Sequence, residues 1–136
     1  MKTVVLLYNT SCIYEIVILN YFLKYAGKDV VFVSQDGNSI ISMEGYSVNV
    51  SDKLNISPQD VELMVVPGGS IAEIDHDQTW EYLANVQSNQ GLIAGICAGV
   101  DLLDHAGVLE KIDSTHSSDL DVVVTDKVIT ARANGY

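Results

Sequence analysis

Four short apolar runs rich in valine, leucine and isoleucine recur along this chain of 136 residues, and they restrict its fold more than any other feature. Runs of this length and composition are typical of strands that are buried on both faces of a parallel sheet. They lie at residues 3–8, 29–34, 63–66 and 92–96. Because neighbouring parallel strands need long crossover connections, the segments between the runs are expected to supply helices on the faces of the sheet.

The intervening segments carry the expected helical patterns. Helices are predicted over residues 13–26, 77–90 and 98–105, and glycines follow these segments at 27, 91 and 107. A small peripheral hairpin is predicted between residues 36 and 52, with a Glu44-Gly45 turn. Two more strands are predicted at 121–124 and 127–131. These elements predict one α/β domain spanning residues 1–136, with layers of helices around a mostly parallel sheet.

The end of the sequence is unusual for such a fold. The last predicted strand is followed by only a few residues, up to Tyr136, where an open sheet would need one more helix to cover it. We therefore expect a domain that lacks its final C-terminal helix, as in a C-terminal truncation, or a domain whose exposed face a partner covers.

Composition narrows the classes of partner. With 18 acidic and 7 basic residues the formal net charge is -11, which disfavours nucleic acid and anionic membrane surfaces and favours a small molecule or a protein. Two cysteines without metal-ligand spacing indicate neither a disulfide scaffold nor a metal site. The cysteine usage fits a reduced, cytoplasmic protein, and no signal peptide and no apolar stretch long enough to span a bilayer is found. No cofactor is expected.

The most informative site signal is Gly95-Ile96-Cys97-Ala98-Gly99, which places a thiol between a predicted strand and a predicted helix. Small residues around such a turn are typical of a nucleophile elbow, and the first helical turn offers amide groups that stabilise a thiolate. We therefore expect a reactive Cys97. The alternative is a buried structural cysteine that packs like a small apolar residue.

A glycine turn ends the preceding strand and lies at the same expected edge of the sheet. In Pro67-Gly68-Gly69, the absence of side chains at the two glycines allows backbone amides to face the crevice. Together with the amide of Ala98, Gly68 and Gly69 could form an oxyanion hole. The alternative is an ordinary tight turn.

Taken together, Val-Val-Pro-Gly-Gly at 65–69 and Leu-Ile-Ala-Gly-Ile-Cys-Ala-Gly at 92–99 resemble the ThiJ/PfpI family of the class I glutamine amidotransferase-like superfamily. The resemblance implies a flavodoxin-like three-layer sandwich, a reactive elbow cysteine at Cys97 and a glutamate at Glu15 that contacts it. It also matches the family's histidine to His116, and it implies a homodimer. Without the resemblance, Glu15 reads either as a costly buried carboxyl or as a glutamate favoured by a helix N-terminus.

Departures from relatives narrow the chemistry. Ala98 stands where the protease-like branch has histidine, and residues 116–118 lack the His-x-Glu pair of glutaminases, which argues against both activities.

Three functional hypotheses follow. The first is a ThiJ/PfpI-type hydrolase or lyase, similar to a glyoxalase or deglycase, that acts on a small carbonyl or amide-like substrate. The second is a stress-response redox sensor whose Cys97 becomes a sulfinic acid, and the third is a binding module without catalytic activity.

The second cysteine, Cys12, lies in the same loop as Glu15. It is interpreted as a bystander, a site-lining residue or a resolving thiol.

Overall fold

Seven strands form the main sheet of the protein, whose computed structural model describes residues 1–116 and 120–132. The strands of this sheet and of a separate hairpin are β1 (Lys2–Leu6), β2 (Val30–Ser34), β3 (Ile40–Ile41), β4 (Ser47–Val48), β5 (Asp52–Lys53), β6 (Val61–Val66), β7 (Leu92–Ile96), β8 (Val122–Thr125) and β9 (Val128–Ala131). The order in the main sheet is β5-β2-β1-β6-β7-β9-β8. All neighbouring strands are parallel except β8 and β9, which confirms the predicted mostly parallel sheet.

Three α-helices connect the strands: α1 (Val17–Tyr25), α2 (Asp77–Ser88) and α3 (Ala98–His105). The bounds of α3 agree with the prediction, and α2 ends two residues early. The predicted first helix is divided, because a separate 3-10 turn, Ile13–Glu15, precedes α1. Ile16 separates the two with a φ of -120° and a ψ of -3°, so the expected continuous helix begins only at Val17.

Two apolar clusters on opposite faces of the sheet give the fold its three layers. One cluster joins alternate residues of the central strands, such as Val4 and Leu6, to Leu83 of α2 and Leu103 of α3. The other contains Val5, Leu7 and Val65, together with the segment that leads into α1. Alternation of β1 side chains between the two clusters follows from the period of two of a strand. The three-layer α/β sandwich predicted from the sequence is therefore confirmed.

The α1 face is less covered than the other. None of the residues of α1 is fully buried, and its aromatic side chains Tyr21, Phe22 and Tyr25 are exposed. A cavity of about 350 Å³ opens between the start of α1 and strands β6, β7 and β9.

No helix within residues 1–116 and 120–132 combines the length and apolar character that a bilayer crossing requires.

The predicted hairpin is present as β3 and β4, which pair only with each other. It is not peripheral to the loop that follows β1. The Thr10 amide donates to the Ile41 carbonyl over 2.8 Å, and the Met43 amide donates to the Ser11 carbonyl over 2.9 Å. The hairpin is thus attached to the carboxyl end of β1, where the candidate site lies.

Candidate functional site

Cys97 lies on a sharp turn between β7 and α3. Its φ of 54° and ψ of -122° place a residue other than glycine in a backbone region that L-residues rarely adopt. The turn is held by β9, because the Cys97 amide donates to the Ala131 carbonyl over 2.8 Å. The Cys97 side chain is exposed. This is the strand-turn-helix geometry of a nucleophile elbow, with an accessible thiol at the carboxyl edge of the sheet.

The turn after β6 packs against this elbow so closely that no side chain fits between them. A Cβ at Gly68 would lie 2.8 Å from the Cys97 Cβ, 2.8 Å from Oε1 of Glu15 and 3.3 Å from the Ala98 nitrogen. The elbow cysteine, the glutamate after β1 and the glycine turn therefore meet at one point. The structure brings together Cys97, Glu15, Gly68 and Ala98, which were all singled out from the sequence.

Glu15 is a buried carboxyl, with 3% of its surface exposed. The Gly68 amide donates to Oε1 over 2.7 Å, whereas Oε2 has no hydrogen-bond partner within residues 1–116 and 120–132. Burial raises the pKa of Glu15, and the negative charge of Glu44 adds to that effect, while the Gly68 hydrogen bond opposes it. The neutral, protonated form of this carboxyl therefore persists to a higher pH than in a free glutamate.

Two backbone amides in these turns are unpaired among the described residues. Within the part of the chain that the structure describes, the amides of Gly69 and Ala98 have no hydrogen-bond acceptor. Gly69 has a φ of +150°, and a Cβ there would lie 2.5 Å from the Thr10 carbonyl oxygen. The Gly68 amide, by contrast, is already bonded to Glu15.

The loop after β1 is bound to the glycine turn by two hydrogen bonds. The Cys12 amide donates to the Gly68 carbonyl over 2.8 Å, and the Ser70 amide donates to Oγ1 of Thr10 over 2.8 Å. The Cys12 thiol itself is buried, and burial, reinforced by the Glu15 charge, raises its pKa to about 11. Cys12 therefore lies next to the site as a neutral thiol at physiological pH.

Tyr8 holds the glycine turn in place through a hydrogen bond, and the sequence analysis did not identify it as a site residue. Its hydroxyl donates to the Pro67 carbonyl over 2.6 Å, and its ring would lie 3.0 Å from a Cβ at Gly69. Tyr8 is almost completely buried, and burial raises the pKa of its phenol. The sequence shows only a tyrosine at the end of an apolar run. It does not reveal that the hydroxyl bonds to Pro67, which is far away in the chain.

Glu44, at the tip of the hairpin, was also missed as a site residue. Its carboxylate accepts hydrogen bonds from the amides of Ile13 and Tyr14, which precede Glu15 in the 3-10 turn. The Glu-Gly pair was interpreted only as a turn signal. Three separate segments, after β1, after β6 and in the hairpin, therefore meet around Glu15, which lies beside the elbow.

His116 is placed beside α3. Its Nε2 lies 2.9 Å from Oδ1 of Asp101, one helical turn beyond the elbow, and both side chains are largely exposed. No hydrogen bond joins His116 to Cys97 among the described residues. The other two histidines have partners elsewhere: His105 pairs with Asp75, and His76 contacts Gln35.

The 350 Å³ cavity borders the site on the α1 side. Its wall contains Glu15 and Ile96, and the remaining lining is mainly apolar. Within residues 1–116 and 120–132, no group of three or more His, Cys, Asp or Glu side chains is arranged to hold a metal ion.

Comparison with known proteins places this geometry in a family. The model of the DJ-1/PfpI family matches residues 1–136, the whole chain. A deglycase of Pyrococcus horikoshii is 32% identical over 114 residues, which cover 80% of this chain and 68% of the deglycase.

Solved structures with the same fold include a DJ-1 superfamily protein from Agrobacterium tumefaciens. It has a TM-score of 0.88 and 23% identity, with 98% of this chain and 82% of that chain covered. An oxidised DJ-1 from Toxoplasma gondii has a TM-score of 0.84 and 21% identity, with 96% of this chain and 81% of that chain covered. These likenesses extend over nearly the entire chain and confirm the flavodoxin-like α/β fold.

Proposed function

The chain belongs to the DJ-1/PfpI family, and from this premise we propose that it is a cofactor-independent cysteine enzyme acting on small electrophilic carbonyl compounds. The Pyrococcus horikoshii deglycase supports an enzyme of this family's hydrolase-like kind. In the proposal, Cys97 is the nucleophile, Glu15 transfers protons, and the Gly69 and Ala98 amides bind the developing oxyanion.

One observation carries the proposal: the Cys97 Cβ and Oε1 of Glu15 both lie 2.8 Å from the position that a Gly68 Cβ would occupy. A structural cysteine would not need a buried carboxyl, with one unpaired oxygen, at this distance. Placing an isolated carboxyl in an apolar environment is costly, so the arrangement suits a group that is used as an acid.

The first chemical step is the addition of the Cys97 sulfur to an aldehyde carbon. The thiol proton leaves to solvent, a C–S bond forms, and the π pair of the carbonyl moves to its oxygen. The amides of Gly69 and Ala98, which have no acceptor in the described residues, would hold that oxygen. The protonated Glu15 then donates its proton to the oxygen and becomes a carboxylate.

A 2-oxoaldehyde fits the remaining steps without any cofactor. The Glu15 carboxylate removes the hydrogen of the former aldehyde carbon as a proton, which leaves an enediolate. Glu15 returns that proton to the neighbouring carbon, and the hydroxyl proton of the former aldehyde oxygen passes to the former keto oxygen, so that a thioester forms. Water cleaves the thioester to a 2-hydroxy acid and releases Cys97. The aldehyde carbon is oxidised and the keto carbon is reduced, so that the reaction needs no external oxidant or reductant.

The test is the conversion of methylglyoxal to lactate by wild type, by Cys97→Ser and by Glu81→Gln, which changes an exposed acid on α2. Wild type and the α2 variant are expected to turn over equally, while Cys97→Ser loses at least about 100-fold in kcat/KM. Equal turnover by wild type and Cys97→Ser, or no turnover by either, would rule out this substrate.

His116 enters the proposal as a further general base or as a residue that orients the thiol. The contact of His116 with Asp101, which lies one helical turn beyond Cys97 in α3, supports this role. His116→Gln is expected to lower turnover and to change its pH profile. An unchanged profile would remove His116 from the mechanism.

A second candidate function is redox sensing, which the exposed Cys97 thiol favours. Two equivalents of hydrogen peroxide, each reduced to water, would convert the thiol to a sulfinic acid beside the Glu15 O–H group. The Toxoplasma gondii protein of the same fold is described as oxidised. Mass spectrometry after mild peroxide treatment is expected to find two added oxygens on Cys97. An unmodified Cys97 beside an oxidised Cys12 would exclude this function, and ordinary thiol reactivity at Cys97 would favour a binding module.

A further inference from the structure

The tip of the hairpin contacts the turn that carries Glu15. Oε1 of Glu44 accepts the Ile13 amide over 3.2 Å, and Oε2 of Glu44 accepts the Tyr14 amide over 3.0 Å. The first amides of a helical turn have no partner within the turn, so that a carboxylate in this position satisfies two of them. Glu15 is the next residue, and its orientation follows from the same turn.

The backbone of the hairpin is held to the site loop independently of Glu44. Hydrogen bonds join the Thr10 amide to the Ile41 carbonyl and the Met43 amide to the Ser11 carbonyl. Within the hairpin, the Tyr46 amide donates to Oγ of Ser42 over 3.0 Å. The hairpin that carries Glu44 is therefore fixed to the site loop by its own backbone hydrogen bonds.

We propose that Glu44 is a positioning residue for the Glu15–Cys97 pair: its carboxylate fixes the turn that directs Glu15 to the thiol and places a negative charge beside it. This inference rests on the proposed function, because it concerns the same two residues. It assigns to the hairpin a role in keeping Glu15 able to donate a proton.

The electrostatics around Glu15 agree with that role. Partial desolvation works against ionisation of Glu44, but the amides of Tyr14 and Ile13 hold its pKa below the usual range. Three other titratable side chains lie close enough at the site to interact electrostatically. They are Tyr8 after β1, Cys12 in the following loop and Cys97 on the elbow. Tyr8 and Cys12 have raised pKa values and are neutral at pH 7, so Glu44 supplies the fixed negative charge that, after burial, raises the pKa of Glu15.

Two variants separate the contributions of charge and of hydrogen bonding. Glu44→Gln removes the charge and keeps one acceptor oxygen, whereas Glu44→Ala removes both acceptors. Glu81→Gln on α2 is the matched control for the loss of an exposed acid. Carbon-13 NMR of labelled glutamate side chains, with Glu15→Gln to assign the signal, gives the titration midpoint of Glu15 without any substrate.

The midpoint of Glu15 is expected to fall by about half a pH unit in both Glu44 variants and to stay unchanged in the control. Amide hydrogen exchange at Ile13 and Tyr14 is expected to accelerate about tenfold in Glu44→Ala, with a smaller change in Glu44→Gln. Turnover of methylglyoxal by Glu44→Ala is expected to fall in kcat at pH 7, with little change in KM.

A Glu15 midpoint that is the same in wild type and Glu44→Gln overturns the charge role, and unchanged exchange at Ile13 and Tyr14 in Glu44→Ala overturns the positioning role. If Glu44→Ala fails to fold by circular dichroism, the titration and exchange of Glu44→Gln decide. Because neither measurement needs turnover, inactivity toward methylglyoxal would count against the proposed function alone.

Discussion

Gly68 has no room for even one methyl group. A Cβ there would contact the Cys97 Cβ and the Glu15 carboxyl at 2.8 Å, which is shorter than real Cβ contacts. Gly68→Ala is expected to force the turn away from the elbow, to lower the free energy of unfolding by about 1–3 kcal/mol and to reduce turnover at least tenfold. Chemical denaturation and methylglyoxal kinetics measure the two effects.

Gly27, at the end of α1, offers a matched control. It has a φ of +78° and open space around its Cβ position, so that alanine there is strained but touches nothing. Gly27→Ala is expected to cost about 1 kcal/mol of stability and to leave kcat unchanged. A similar loss of kcat in both variants would show that activity follows stability rather than the geometry at Gly68.

Glu15 gives a prediction about pH. Burial raises its pKa in the folded protein, so the folded state binds this proton more tightly than the unfolded chain does. The resulting stability is fully present below the unfolded pKa, near 4.5, and is lost as the pH rises through the folded pKa. Glu15→Gln, which stays neutral, is therefore expected to gain stability relative to wild type as the pH rises above 4.5.

Urea denaturation of wild type and Glu15→Gln at several pH values between 4 and 8 measures this difference. A gap between the two proteins that does not change with pH would contradict a raised pKa. Glutamine also keeps an acceptor for the Gly68 amide, so that the comparison isolates the ionisation of the carboxyl.

The residues that sequence reasoning found are those with a local signal. Cys97 stands among small residues at a strand end, and Gly68 and Gly69 follow a proline, whereas Glu15 was matched through the family resemblance. Tyr8 and Glu44 have no such local pattern, because their roles depend on hydrogen bonds to Pro67 and to Ile13, far away in the chain. Only the packing of the folded chain reveals these partners.

At the scale of elements, a single hydroxyl group connects the end of β1 to the turn after β6. Tyr8→Phe removes the hydrogen bond to the Pro67 carbonyl and leaves that buried oxygen without this donor. We expect a loss of about 0.5–1.5 kcal/mol in the free energy of unfolding, and lower kcat because the glycine turn loosens.

Tyr82→Phe is the matched control, since Tyr82 also donates its hydroxyl to a carbonyl oxygen, that of Ile56, over 2.6 Å. This bond lies between α2 and the segment before β6, away from the elbow. Both variants are expected to lose similar stability in thermal denaturation, and only Tyr8→Phe is expected to lose kcat. Equal kinetic effects would contradict a specific role for Tyr8.

Element prediction was accurate where hydrophobic patterns are long and failed where they are short. The central strands and α3 follow directly from apolar runs and small-residue turns. β5 contains only Asp52 and Lys53, both exposed, and its pairing with β2 leaves no pattern in its sequence. The interruption at Ile16 was missed because the apolar periodicity of α1 continues through the preceding 3-10 turn.

At the scale of the whole molecule, the exposed aromatic side of α1 predicts self-association. Tyr21 contacts Phe22 edge to face and stacks on Tyr25, and all three are exposed. Exposed apolar patches of this kind mark interfaces, so that we expect a homodimer in solution with α1 in its contact.

Light scattering after size exclusion is expected to give twice the mass of one chain. Phe22→Glu is expected to weaken the dimer about tenfold or more, while Val124→Glu, an equally exposed apolar position on the edge strand β8, leaves it intact. A monomeric wild type, or dissociation caused only by Val124→Glu, would contradict the assignment of α1.

The hydrogen bond from the Cys97 amide to Ala131 also has a consequence for biosynthesis. The ribosome delivers β7 and the cysteine before β9, the strand that holds the elbow in shape. A nascent chain therefore carries its thiol in an unassembled elbow until β9 has emerged.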